Sequence, residues 1–427
     1  MLSPIEKFKN FKFVTVFAVA FCMFVDAMGY GVIVPLIPVY SDKILNLSDN
    51  LISFFVTTYA IGLFVFVPFV NLISKKIGNK HSLILGGILL IFSSLIFPIA
   101  NSFEVLLLAR FLQGASAAIT WTCGLSLVAQ SVQPQHRSSA LATAMVGVSV
   151  GHLIGAPFAG FLYGLGGIYL PFIGVISFSL FSLSLILSNK RNNELFIEKE
   201  KYENFDFIKI VLSNKILIGL SIIVLLESFM LSYLEPSLSL IASRKLQANS
   251  EMIGLLFGTQ VLLLAIFSPI AAKIAEKYGK IKIIPFGIFF SGIIFIMMSY
   301  TEYLSIYFIL MGLLGIACAF SISPVLSAFA DEIDKTEMKG LYHIAYGFLN
   351  FIYSLGMIIG PSFGFLLNDI FSDQTSYLLI GFILIFTAPL FTLIVTLKAN
   401  TLPPFATTHS HLSKDQKDKP QDYSTIS

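Results

Sequence analysis

The longest uncharged run, 52 residues from Ser138 to Asn189, constrains the fold of this chain more than any other feature. About 20 apolar residues let a helix cross a bilayer, so this run must hold two membrane spans. Other long runs without Asp, Glu, Lys or Arg include 81–103, 111–136, 303–330 and 340–368. Only 12% of the 427 residues are charged, against about 25% in soluble domains. We therefore predict an all-α membrane protein, because a transmembrane barrel would need short alternating strands.

The hydropathy pattern predicts twelve transmembrane helices. They lie near 13–39, 51–73, 82–100, 104–129, 140–163, 168–189, 216–243, 251–272, 281–300, 303–330, 341–367 and 375–397. A charged stretch divides them six and six. The predicted organisation is an N-terminal six-helix bundle (1–189), a cytoplasmic linker (190–215), a C-terminal six-helix bundle (216–400) and a polar, disordered cytoplasmic tail (401–427).

The distribution of Lys and Arg predicts the orientation in the membrane. Of the 26 that lie outside spans, 23 fall on the side that holds both termini and the linker. The other side holds only Lys43, Arg244 and Lys245. Because basic residues are retained on the cytoplasmic side, both termini are expected to face the cytoplasm.

The two halves repeat each other at an offset of 201 residues. Four pairs of residues are in register: Asp26 with Glu227, Pro35 with Pro236, Gly78 with Gly279, and Gly114 with Gly315. Two six-helix halves of the same topology form the parallel repeat of secondary transporters. This repeat predicts a central cavity between the halves and alternating access by rocking.

Four charged residues lie well inside the predicted spans, namely Asp26, Arg110, Glu227 and Glu235. A charge at the bilayer centre costs at least about 2.5–3.5 kcal/mol, so each is a candidate for substrate or proton coupling. A buried carboxylate can hold an organic cation when it is ionised and cannot when it is protonated. That competition would couple proton flux to cation export.

Other interpretations of these charges stay open. Arg110 could neutralise one carboxylate as a packing ion pair, or could anchor the substrate of a symporter or uniporter for an anionic or neutral metabolite. Glu235 could form a hydrogen bond beside Pro236, where the helix loses a donor. A membrane enzyme is disfavoured because the sequence has no catalytic or metal-binding spacing, and no metal or other cofactor is predicted. A receptor conflicts with the twelve spans and the repeat.

Small residues at intervals of four favour close helix packing in spans 5 and 11. The candidates for packing or gating are Gly147, Gly151, Gly155, Pro157, Gly160, Gly360 and Pro361. His152 lies within the span 5 series, where a hydrogen-bonded core histidine is favoured over a proton carrier. Pro157 is expected to bend its span.

Five segments resemble a known family: DAMGYGVIVPLIPVY (26–40), ARFLQGASAA (109–118), GVSVGHLIGAPFAGFLY (147–163), LEPSLSL (234–240) and IIGPSFGFLL (358–367). They are similar to the vesicular amine transporters and related drug:proton antiporters of the major facilitator superfamily. The resemblance covers nearly all of 13–397. It implies the major facilitator fold, an amine-recognising role for Asp26, and correspondence of Glu235 to a span 7 glutamate of the family.

The chain departs from that family at three polar positions. Where monoamine carriers have aspartates in spans 10 and 11 and a lysine in span 2, this sequence has Ala319, Asn350 and Tyr59. The lysine and the span 11 aspartate are missing together, which avoids a stranded charge. Asn350 and Tyr59, with His152, are therefore candidate polar residues of the cavity.

The sequence thus predicts a secondary transporter rather than an enzyme. The predicted activity is proton-coupled antiport (efflux) of organic cations, amines or drugs. Its expected partners are a small-molecule substrate, protons and the lipid bilayer, with no nucleic acid, and the expected unit is a monomer. The expected location is the plasma (inner) membrane, with an intracellular vesicle membrane as the alternative.

Overall fold

A computed structural model describes residues 4–132, 137–188, 204–336 and 342–396, and these residues fold into long helices. The α-helices are α1 Pro4–Val32, α2 Asp49–Ile96, α3 Phe103–Ser131, α4 Arg137–Gly166, α5 Tyr169–Ser188, α6 Asn204–Ser213, α7 Lys215–Arg244, α8 Ser250–Tyr278, α9 Lys280–Ser299, α10 Leu304–Ile333, α11 Tyr342–Ile370 and α12 Asp373–Thr396. Short 3-10 and π turns at Val34–Leu36, Val39–Ile44 and Phe97–Ile99 complete the described helical segments.

Twelve stretches of the described chain are helical, long and apolar enough to cross a membrane, which confirms the prediction from hydropathy. Span 1 lies in α1, spans 2 and 3 both lie in α2, spans 4 to 6 are α3 to α5, and spans 7 to 12 are α7 to α12. Spans 2 and 3 are joined at a kink between their predicted bounds, 73 and 82. The helix is interrupted only at Gly78, whose φ of 80° is accessible to glycine without strain.

The backbone confirms the repeat at an offset of 201. Gly279, the counterpart of Gly78, also has a positive φ, 102°. A Cβ built on Gly114 would clash with the Tyr59 carbonyl oxygen, and one built on Gly315 would clash with the Gln260 carbonyl oxygen. Positions 59 and 260 are themselves 201 residues apart, so spans 2 and 4 pack as spans 8 and 10 do.

The linker ends in a short helix that packs on the second half. Within α6, Phe207 and Val211 are buried, and the Phe207 ring lies 5.6 Å from the ring of Phe348 in span 11. The first part of the predicted linker, 190–203, and the predicted tail, 401–427, lie outside the described residues. We call the end of the bundle that carries α6 the linker side, and the opposite end the loop side.

The two halves meet closely on the loop side. A Cβ on Gly160 of span 5 would lie 2.5 Å from the Ser250 carbonyl oxygen, and one on Gly258 of span 8 would lie 2.5 Å from Pro157 Cγ. Gly254 packs against the Ala156 carbonyl in the same way. Glycine removes the side chain at each contact and lets the two backbones touch. The loop side is therefore closed in this structure.

Candidate functional site

Asp26 is buried in span 1 and hydrogen-bonded within its own half. Its side chain is 2% exposed, and Trp121 Nε1 of span 4 donates to Oδ2 over 2.9 Å. Among the described residues, Oδ1 has no hydrogen-bond partner. A buried carboxylate oxygen without a donor is costly unless a proton, cation or water occupies it. Asp26 thus has one oxygen held by Trp121 and one oxygen without a protein donor among the described residues.

Glu227, the repeat counterpart of Asp26, has an equivalent environment in the second half. It is 4% exposed, and Ser321 of span 10 donates to Oε1. Oε2 has no partner among the residues described. Span 1 therefore uses a donor from span 4, and span 7 uses a donor from span 10. The repeat places one partly satisfied carboxylate inside each half.

Glu235 lies closer to the loop side and contacts the other half. Tyr30 Oη of span 1 donates a hydrogen bond to Glu235 Oε2 of span 7. Glu235 is eight residues beyond Glu227, about 12 Å along the helix at about 1.5 Å per residue. The predicted hydrogen-bonding role of Glu235 thus has a partner that the sequence did not indicate.

Arg110 is enclosed by aromatic rings and Gln113. Its guanidinium carbon lies 5.5 Å, 4.9 Å and 5.7 Å from the ring centroids of Tyr30, Phe55 and Tyr59, and Nη1 donates to Gln113 Oε1 over 2.9 Å. The side chain is 1% exposed. Cation–π contacts of this kind stabilise a desolvated guanidinium. Within the described part of the chain no carboxylate lies within 4.0 Å of it, so the packing ion pair considered from sequence is not formed.

The structure brings Arg110 and Glu235 together through Tyr30, and it places Asp26 one helical turn from Tyr30 on span 1. The Tyr59 ring lies 4.6 Å from the Tyr30 ring, and the His152 ring lies 6.1 Å from it. These two candidates therefore join the same cluster. Asn350 is half-buried in span 11.

The glycines of span 5 serve two different interfaces. Gly147, Gly151 and Gly155 pack on span 1 of the same half, and a Cβ on Gly155 would lie 2.7 Å from the Met28 carbonyl oxygen. Gly160 and Pro157 pack on span 8 of the other half. In span 11, Gly360 packs on the Phe229 carbonyl of span 7, and Pro361 lines a small cavity between spans 2, 7 and 11.

An ion pair joins the two halves at the loop-side surface. Arg244 Nη2 at the end of span 7 lies 2.7 Å from Asp42 Oδ1, which follows span 1. The hydrogen bonds from Arg244 hold the pKa of the Asp42 carboxyl below its ordinary value. Both side chains are about one-third exposed, 38% for Arg244 and 35% for Asp42, so solvent screens their attraction.

Sequence reasoning missed Tyr30, Trp121, Ser321 and the pair of Asp42 with Arg244. One signal was available, because Trp121 is the single tryptophan of the chain and lies inside a span. The others look like ordinary span or loop residues. Their partners are more than 90 residues away in sequence, so periodicity within one helix cannot identify them.

Comparison with known proteins gives a consistent result. Residues 19–236 and 220–420 match the Major Facilitator Superfamily. "Multidrug resistance protein 2" of Bacillus subtilis is 26% identical over 373 residues, covering 85% of this chain and 90% of that protein. "Quinolone resistance protein NorA" of Staphylococcus aureus is 24% identical over 371 residues, covering 86% of this chain and 93% of that protein.

Solved structures share the fold. An inward-facing, unoccupied bacterial homolog of the human lysosomal transporter Spinster superposes with a TM-score of 0.72, covering 91% of this chain and 96% of its own at 14% identity. A D-xylose-proton symporter superposes with a TM-score of 0.69, covering 89% of this chain and 97% of its own at 16% identity. At these identities the likeness concerns the fold alone.

Proposed function

The chain belongs to the major facilitator superfamily, and from this premise we propose that it is a proton-coupled antiporter that exports organic cations, amines or drugs. Its relatives are membrane transporters and not enzymes. The observation that carries the proposal is the Asp26 carboxylate, which is buried beside Trp121 and has one oxygen without a partner among the described residues. An intramembrane acid of this kind is suited to holding a proton or a cation.

Asp26 can bind the substrate cation and the proton at the same position, one at a time. When the carboxyl group is ionised, the open oxygen attracts a cation, and the half-buried Trp121 indole offers an apolar face beside it. When the group is protonated, its charge is lost and the cation is released. Proton binding on one side of the membrane and proton release on the other would thereby drive export.

Glu227 provides a second proton-binding position in the other half. The Glu227 side chain is buried in the second half beside Ser321 and Cys318, so it is suited to a proton rather than to a bulky cation. Arg110, Glu235, Tyr59, His152 and Asn350 would tune the central cluster.

The named relatives support a drug substrate, because two of them are called multidrug and quinolone resistance proteins. By the same comparison the proposed location is the plasma membrane of a bacterium, with the linker side in the cytoplasm. The proposed unit is a monomer of two bundles, 1–189 and 216–400, joined by the linker 190–215 and followed by a cytoplasmic tail, 401–427.

A second candidate is symport or uniport of an anionic or neutral metabolite. The guanidinium of Arg110 favours it, because this group has no carboxylate partner among the described residues and its Nε is unbonded there. In this mechanism Arg110 would bind the anionic group of the substrate, and Asp26 would carry only the proton.

Purified protein in proteoliposomes separates the two candidates. Under an imposed pH gradient, antiport predicts that quaternary ammonium ions or quinolones move against the proton flux. Symport predicts that monocarboxylates or hexoses move with it. If the protein still exchanges a solute but a pH gradient drives the movement of none of these compounds, proton coupling is contradicted.

A further inference from the structure

We propose that the Tyr30 hydroxyl holds the loop side of the transporter closed by binding Glu235 across the two halves, while the Tyr30 ring supports Arg110. We call Arg110, Tyr30 and Glu235 the Tyr30 bridge. The inference rests on alternating access, which is part of the proposed function, but not on the substrate or on proton coupling. It assigns to Tyr30 a positioning role that the sequence did not indicate.

The location of the Tyr30 bridge fits this role. Tyr30 belongs to span 1 and Glu235 to span 7, the repeat-related helices that approach each other between the halves. The hydrogen bonds of Asp26 and Glu227, in contrast, stay inside one half and need not break when the halves rock. Opening of the loop side must separate Tyr30 from Glu235, because they move with different halves.

Charge strengthens the contact between Tyr30 and Glu235 when the Glu235 carboxyl group is ionised. A tyrosine hydroxyl that donates to a carboxylate forms a charge-assisted hydrogen bond. The Arg110 guanidinium lies 5.5 Å from the ring centroid of that tyrosine, and it is 1% exposed. Arg110 and Glu235 both contact Tyr30, and their opposite charges attract each other. If Tyr30 released Glu235, two buried charges would lose part of their compensation at once.

The surface pair of Asp42 and Arg244 also joins the halves on this side, but it is a weaker contact. Its side chains are 35% and 38% exposed, whereas Tyr30 is 6% exposed. Exposed pairs contribute little because water and salt screen them. The buried Tyr30 bridge should therefore dominate the polar contribution to closure.

We call the contact between the two halves on the loop side the loop-side seam, and a cysteine placed behind it measures closure directly. Ser53 of span 2 is 8% exposed and lines the cavity beside Pro236 and Pro361, so a hydrophilic maleimide can reach Ser53→Cys only when the loop side opens. The native cysteines Cys22, Cys123 and Cys318 are replaced by serine. Labelling of purified protein is timed without substrate or pH gradient. As long as the open fraction is small, the labelling rate is proportional to it.

Tyr30→Phe is expected to raise the labelling rate about tenfold or more, the effect of losing a hydrogen bond to a charged group. Tyr40→Phe is the matched control, because Tyr40 is also buried but its hydroxyl donates to the Phe97 carbonyl of its own half over 2.9 Å. The control should label at the parental rate. An unchanged rate in Tyr30→Phe, or an equal increase in Tyr40→Phe, would overturn the proposal.

Glu235→Ala tests the same contact from the other half. It should raise the labelling rate at least as much as Tyr30→Phe, and Tyr30→Phe added to it should have no further effect, since the hydroxyl has lost its acceptor. Additive effects would refute a direct Tyr30 to Glu235 contact. Because no transport is measured, a negative result here leaves cation export untouched, and failure of proton-driven export leaves the closure result valid.

Discussion

Replacing Asp26 with asparagine removes the negative charge and the proton-binding group of span 1 while keeping the side-chain shape. The amide oxygen of asparagine can still accept the hydrogen bond that Trp121 Nε1 donates over 2.9 Å. The amide nitrogen would take the place of Oδ1, which has no partner among the described residues, at a cost of about 1–3 kcal/mol. The structure therefore predicts a folded protein with a defective site.

The defect should appear in binding and in coupling. Loss of a partly desolvated contact to the substrate cation should cost about 1.5–3 kcal/mol, which is about tenfold to over a hundredfold in affinity. Accumulation driven by a pH gradient should vanish because the exchangeable proton site in this half is gone. Some exchange of substrate for substrate can persist. Asp26→Glu should keep partial activity with a shifted pH optimum.

The assay is uptake of a labelled organic cation by proteoliposomes under an imposed pH gradient, using protein that elutes as a single symmetrical peak. Glu251→Gln is the control, because Glu251 is an exposed carboxylate at the start of span 8. It should accumulate substrate at the parental level. Full accumulation by Asp26→Asn would refute the proposed mechanism, and aggregation of that variant would indicate a packing role instead.

Three further predictions concern topology, packing and pH. In intact cells an impermeant thiol reagent should label Ser48→Cys, which is exposed on the loop side, and should not label Asn193→Cys in the linker. Equal labelling of the two would contradict cytoplasmic termini. Gly155→Leu should lower the melting temperature, because it forces spans 1 and 5 of one half apart. Gly160→Leu, at the contact between the halves, should mainly raise the labelling rate of Ser53→Cys. If Gly155→Leu raised the labelling rate and Gly160→Leu lowered the melting temperature instead, the two glycines would not serve these two interfaces. Asp42→Asn should raise the labelling rate of Ser53→Cys less than about fivefold at low salt. The difference from the parental rate should vanish as pH falls through the depressed pKa of Asp42, because protonation of Asp42 removes the same charge. A difference that persists at lower pH would contradict the ion pair.

The fold could be predicted from sequence because it depends on features that can be read along the chain without knowing tertiary contacts. Uncharged runs of at least 20 residues specify spans, and an offset common to several residues specifies the repeat. The boundary between spans 2 and 3 is marked in the sequence by the basic and polar residues at 74–81. In the structure Gly78 is the residue there that leaves the helical conformation.

The candidate site could be predicted only in part. Placing a charged side chain inside the bilayer costs free energy, and this argument identified four candidates one at a time without reference to their neighbours: Asp26, Arg110, Glu227 and Glu235. Their hydrogen-bond partners are neutral side chains, Trp121, Gln113, Ser321 and Tyr30, whose presence in a span costs little and therefore gives no signal. Which neutral side chain reaches each charge depends on how the helices pack, within one half for Trp121 and Ser321 and between the halves for Tyr30, and that is a property of tertiary packing.

The paired backbone contacts of Gly114 and Gly315 also bear on how such a transporter diverges. In both halves the glycine faces a carbonyl oxygen and a backbone nitrogen, so the contact does not depend on which side chains the facing residues carry. Tyr59 in one half and Gln260 in the other fill the same backbone role with unrelated side chains. Mutations can therefore change the side chains that line the cavity in each half while the glycines preserve the spacing of the helices. A shared architecture at 14% identity is the expected result of such drift, and an exhaustive substitution scan should find these glycines intolerant and positions 59 and 260 permissive for folding.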